Sequence, residues 1–164
     1  AFAALVERSG PEAAPIMLYH IPSFTGLPLH PALLRRLADT FPGRVFGLKD
    51  SGIDLPKTLE LLATCRDLTI LVGAEEHIPD VMAAGGRGTI CGLANLDPAL
   101  VNRLLDGDRA AIPLIRALGA QLQGRQFVAA MKQILADRLG DPGWRRVAPP
   151  LVPIEDAATT PRAA

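Results

Sequence analysis

The chain has 164 residues, about the length of one ordinary domain, with 49% hydrophobic and 21% charged residues, a globular composition that excludes disorder over most of its length. Seventeen Lys and Arg balance seventeen Asp and Glu, so no basic footprint points to nucleic acid or an anionic membrane. No apolar run approaches the roughly 18 residues of a membrane span, and the first 20 residues do not read as a signal peptide.

The opening residues, Ala1 to Gly10, read as the middle of a helix, which leads us to expect a piece of a longer chain. Pro15 to Tyr19 is an apolar run of strand length. Pro31 to Phe41 follows with helical spacing, Leu33, Leu34, Leu37 and Ala38 sharing a face. Arg44 to Leu48 is a second strand. Asp54 then caps a helix with Leu55, Leu59, Leu62 and Ala63 inward. Leu68 to Val72 is a third strand, and Glu75 to Ala84 a helix ended by Gly85-Gly86. Gly88 to Gly92 is a fourth strand, and Asp97 caps a helix from Pro98 to Leu105.

These strands are almost continuously apolar, as strands covered on both faces are. Alternation with helices through short links implies parallel pairing by right-handed crossovers. Four βα units fit two architectures on pattern alone: half a (β/α)8 barrel, or a small open doubly wound sheet. After Gly107 the alternation stops. Asp108 to Gln123 reads as a helix with Ala111, Leu114, Ile115, Leu118 and Leu122 as its stripe. Phe127 to Leu139 reads as another, with Val128, Met131, Ile134 and Leu135. Gly140 to Pro153 reads as an ordered arm, and Glu155 to Ala164 as a fraying end. Cys65 and Cys91 match no metal spacing and read as reduced thiols in apolar surroundings, and no His spacing suggests a metal ligand set.

In βα folds the chemistry gathers at the carboxyl ends of strands. Lys49 directly follows the second apolar run. Partial withdrawal from water exposes a nucleophilic amine there, as Schiff-base formation with a carbonyl requires; the plain alternative is a solvated lysine paired with Asp50. Tyr19, the only tyrosine, ends the preceding strand and could relay protons beside it. Glu75 and Glu76 follow Gly73 at the third strand end. They could accept hydrogen bonds from sugar hydroxyls, or complement a helix dipole.

Four strings in order resemble one family: Leu-Tyr-His-Ile-Pro-Ser-Phe-Thr-Gly at 18–26, Gly-Leu-Lys-Asp-Ser at 47–51, Gly-Ala-Glu-Glu at 73–76, and Gly-Arg-Gly-Thr-Ile-Cys-Gly-Leu-Ala-Asn at 86–95. They are similar to the dihydrodipicolinate synthase / N-acetylneuraminate lyase family of class I, pyruvate-type aldolases. The resemblance implies an α/β chain that is the C-terminal half of a (β/α)8 TIM barrel, strands five to eight, over residues 1–106. A helical extension and arm would cover 107–153, and a flexible tail 154–164. It implies an imine between Lys49 and pyruvate or a 2-keto acid, with Tyr19 as relay acid/base. Ser51, Gly73 and Ile90 would lie along the substrate, and Glu75 and Glu76 at positions that bind polyol hydroxyls in the sialic-acid lyases. Phe24 stands where the synthases place an Arg for a substrate carboxylate, and His20 where the family usually has Asn. That argues for a 2-keto-3-deoxy sugar acid over the alternative, 4-hydroxy-tetrahydrodipicolinate synthase in lysine biosynthesis. A further alternative is a non-catalytic half-barrel remnant or packing partner. The resemblance also implies a cytoplasmic homotetramer and chemistry with neither metal nor diffusible cofactor.

Overall fold

A computed structural model describes residues 2–10 and 13–154. The expected fraying of 155–164 lies outside the described residues. Helix α1 (Phe2–Arg8) precedes strand β1 (Ile16–His20), the short α2 (Pro22–Thr25) and α3 (Pro31–Thr40). Then come β2 (Val45–Asp50), α4 (Leu55–Thr64), β3 (Thr69–Val72), α5 (Ile78–Ala83), β4 (Gly88–Thr89) and α6 (Pro98–Leu105). Two further helices follow, α7 (Ile112–Ala120) and α8 (Phe127–Leu139), and then a single turn at Pro142–Arg145.

The four strands form one parallel sheet in the order β1-β2-β3-β4. A doubly wound sheet would reverse its strand order at a switch point. The unbroken order instead matches consecutive units of a barrel, which rules out the open-sheet alternative. Leu18, Leu48, Ile70 and Val72 form one buried sheet face, in a single core with Leu34 and Leu37 of α3, Leu61 and Leu62 of α4, and Ile78 and Val81 of α5. That core continues into Leu100, Val101 and Leu104 of α6, Ile115 and Leu118 of α7, and Met131 of α8.

Several expected boundaries shift for identifiable reasons. β2 runs two residues further than its apolar run, so Lys49 and Asp50 lie inside the strand. β4 is two residues, not five. It pairs with β3, and beyond Ile90 the chain bends into a 3-10 turn at Leu93–Asn95. The segment expected as one helix from Glu75 opens with a 3-10 turn at Glu75–His77, and that from Asp108 with one at Arg109–Ala111. In each case a proline, Pro79 or Pro113, has no N–H to give the carbonyl four residues back, so the α-helix starts later. Three stripe residues face outward instead: Ala63, Leu114 and Val128 are exposed. Thr58 joins Leu61 and Leu62 on the inward side of α4, with buried Cys65 just past its end, and the small Ala129 and Ala130 are buried on α8.

Cys65 is buried and Cys91 half-buried, both free thiols. Burial pushes both thiols up from their ordinary values.

Candidate active site

The parallel register of β1 and β2 sets Tyr19 beside Lys49 and His20 beside Asp50. Successive residues of a strand face opposite sides. Tyr19 and Lys49 therefore share one face, and His20 and Asp50 the other. On the first face Lys49 Nζ donates to Tyr19 Oη at 3.0 Å and lies 4.1 Å from the centre of the phenol ring. Tyr19 remains half exposed at 48%. Its phenol is held below the usual tyrosine value, first by the Lys49 hydrogen bond, with a smaller contribution from the Ser51 hydroxyl.

The ladder carries on past the strand ends. Ser51 N–H donates to the His20 carbonyl at 2.8 Å, and Gly73 N–H to the Asp50 carbonyl at 2.7 Å. Gly73 lies close against Ser51, since a Cβ there would sit 2.3 Å from Ser51 Oγ and would have to push that hydroxyl aside. Tyr19, Lys49, Ser51 and Gly73 thus follow one another across the ends of three adjacent strands.

The remaining expected residues stand apart. Phe24 lies on α2 with 87% of its surface exposed. Ile90 is exposed just past β4. Glu75 turns its carboxylate to the backbone, accepting the Leu93 N–H at 3.0 Å. Glu76 forms a salt bridge with Arg116 of α7. Among the described residues no group of three or more His, Cys, Asp and Glu side chains could hold a metal ion. No described helix is long and apolar enough to cross a membrane.

Asp50 corrects one expectation: it is no partner for Lys49. It points away, 5% exposed, and accepts from His20 Nδ1 at 2.8 Å, Gly52 N–H at 2.8 Å and Thr58 Oγ at 2.6 Å. Reading motif strings alone overlooks this cluster. The two-residue strand period would have found it, because 49 and 50 cannot face the same way within a strand.

Comparison with known proteins agrees with this fold. The sequence profile of the Dihydrodipicolinate synthetase family matches residues 6–162. The 4-hydroxy-tetrahydrodipicolinate synthase of Thermomicrobium roseum is 35% identical over 117 residues, covering 63% of this chain and 38% of that protein. The crystal structure of dihydrodipicolinate synthase from Agrobacterium tumefaciens superposes with a TM-score of 0.85 at 35% identity, over 94% of this chain and 53% of that one. YagE of Escherichia coli K12, described as a putative 2-dehydro-3-deoxy-D-gluconate aldolase, is 28% identical over 155 residues, 87% of this chain and 51% of its own. Its crystal structure in complex with pyruvate gives a TM-score of 0.78, covering 95% of this chain and 57% of that one. The chain thus spans about half or less of the length of these relatives. Its architecture is that of the C-terminal half of their barrel with a helical extension.

Proposed function

This chain belongs to the dihydrodipicolinate synthetase family, and on that footing we propose that it carries the imine-forming part of a class I aldolase or lyase. The substrate class is pyruvate or a 2-keto-3-deoxy sugar acid. One observation carries the reading: Lys49 Nζ and Tyr19 Oη meet at 3.0 Å on adjacent strand ends. An amine and a phenol so placed can do two jobs. The Lys49 amine adds to the keto carbon, and loss of water leaves an imine that draws electrons from the neighbouring C–C bond. Tyr19, its phenol already favoured toward ionisation, passes protons at the bond being made or broken. The imine is itself the electron sink, so the chemistry calls for no diffusible cofactor.

Ser51 and Gly73 continue the Lys49 strip and would line the substrate, with Ile90 further along. Glu75 and Glu76 would meet hydroxyl groups of the aldehyde portion only by giving up or sharing Leu93 N–H and Arg116. Phe24 offers an apolar ring and no cation, which favours a hydroxylated aldehyde partner over an anionic one. The name of the Thermomicrobium roseum relative keeps the synthase reaction as the second reading. A cytoplasmic homotetramer belongs to the same proposal.

Borohydride reduction in the presence of pyruvate tests it. We expect a covalent adduct on Lys49 by mass spectrometry, absent in Lys49→Ala. An adduct that persists in Lys49→Ala overturns the assignment. If this chain gains none, while a fusion to a complementary four-unit half-barrel does, the carboxylate contacts lie in that other half.

A further inference from the structure

Behind the Tyr19–Lys49 pair lies a second cross-strand pair, one residue further along both strands. His20 and Asp50 are register partners, as Tyr19 and Lys49 are. The Asp50 carboxylate is satisfied from three directions: the β1 side chain of His20, the Gly52 N–H of the following loop, and the buried Thr58 hydroxyl of α4. A carboxylate only accepts, so the imidazole carries its proton on Nδ1. The ring is also packed in place, since a Cβ on Gly52 would lie 2.9 Å from His20 Cε1.

We propose that His20, Asp50 and Thr58 form a latch behind the sheet that holds the ends of β1 and β2 in register, and so holds the Tyr19 hydroxyl against the Lys49 amine. The three are positioning residues, because none of them touches the face that Tyr19 and Lys49 share. β1 pairs with β2 from Ile16 to His20, and the buried charge-assisted bond between His20 and Asp50 at the end of that ladder is short and directional. Thr58 ties the same carboxylate to α4, so the latch joins strand, strand and helix. The proposal rests on the reading of Tyr19 and Lys49 as the working pair.

Tyr19 is the sole tyrosine, so an ultraviolet titration of the phenolate band reports it alone. The charged and polar groups facing it are Lys49 and Ser51. In the unaltered chain we expect its midpoint below the ordinary tyrosine value of about 10. His20→Ala should move it up toward that value, and Thr58→Val should move it part of the way. His20→Asn, whose amide can still donate to Asp50, should keep the lowered midpoint. An unmoved midpoint in folded His20→Ala, whatever its loss of stability, overturns the latch. So does an equal shift in His20→Asn and His20→Ala. Should His20→Ala not fold, Thr58→Val decides: an unmoved midpoint there also overturns the latch. Borohydride trapping on the same samples separates the two claims. A midpoint that moves as expected, with no pyruvate adduct on this chain or on its fusion to a complementary half-barrel, sinks the catalytic reading and keeps the latch.

Discussion

Replacing Ile53 with Gly should stabilise this chain, although it deletes a large apolar side chain. Ile53 follows the Lys49 strand by three residues and is the non-glycine residue with positive φ among those described, at 55°. A left-handed backbone costs an ordinary L-residue about 1–2 kcal/mol, and a β-branched side chain belongs at the upper end, so about 2 kcal/mol is stored there. Gly relieves this but loses about 0.7 kcal/mol through the freedom it gains in the unfolded chain. The side chain is 69% exposed. Losing the remaining third of its burial therefore costs about 0.7 kcal/mol. The balance is a gain of about 0.6 kcal/mol, or roughly 1–2 °C in Tm for a chain of this size. Ile53→Val is the control. It keeps the β-branch and the strain, removes one mostly solvated methyl group, and should match the parent or fall slightly below it. Differential scanning calorimetry of the three proteins side by side gives the ranking Gly, parent, Val. If Gly is less stable than Val by more than about 0.5 kcal/mol, the strain argument is wrong.

Gly47→Ala should destabilise by about 3 kcal/mol or more in urea unfolding, because a Cβ there would sit 2.1 Å from the Thr69 carbonyl oxygen, part of the neighbouring strand; a fall below 1 kcal/mol would show that β2 and β3 can part easily. Lys49→Met should raise the Tyr19 titration midpoint toward the usual value, since the Lys49 hydrogen bond is the main cause of its lowering. The matching stability effect has a definite sign. A lowered phenol value lends stability that is fully present above the unfolded midpoint and is lost as pH falls through the folded one, so parent and Lys49→Met should differ in this respect only in alkaline solution. Leu104→Ala, at a fully buried site on α6, should cost about 3 kcal/mol by calorimetry, and a loss under 1 kcal/mol would mean the site collapses around the gap.

Much of the fold is legible in the residues. Apolar runs of strand length mark β1, β2 and β3 to within two residues, but they do not tell that the face with Leu18, Leu48, Ile70 and Val72 is the buried one here, while Tyr19 on the other is half exposed. Asp54 and Asp97 mark two helix starts, and each side chain does accept a backbone N–H three residues on, from Lys57 and Leu100. The four-residue α2 escapes attention, yet Pro22 at its start and a left-handed Gly26 at its end are readable signals. The prolines that delay α5 and α7 are readable too, since a missing N–H is a property of the residue itself. The inner and outer faces of α8 are not, because Val128 and the alanines differ too little in apolar character for spacing alone to choose between them.

The candidate site divides in the same way. Lys49 and Tyr19 stand out because their chemistry and their position after apolar runs are local facts. Sequence alone therefore determines four βα units along the chain and the two candidate side chains at strand ends, while the strand order in the sheet is settled by the structure. Register is not local, because it depends on how two distant segments slide against each other. Only the tertiary structure sets the amine 3.0 Å from the phenol, and turns Asp50 to the far side, where His20 and Thr58 hold it. A one-residue slip would send Tyr19 or Lys49 to the wrong face, and preventing that slip falls to contacts between residues 30 positions apart.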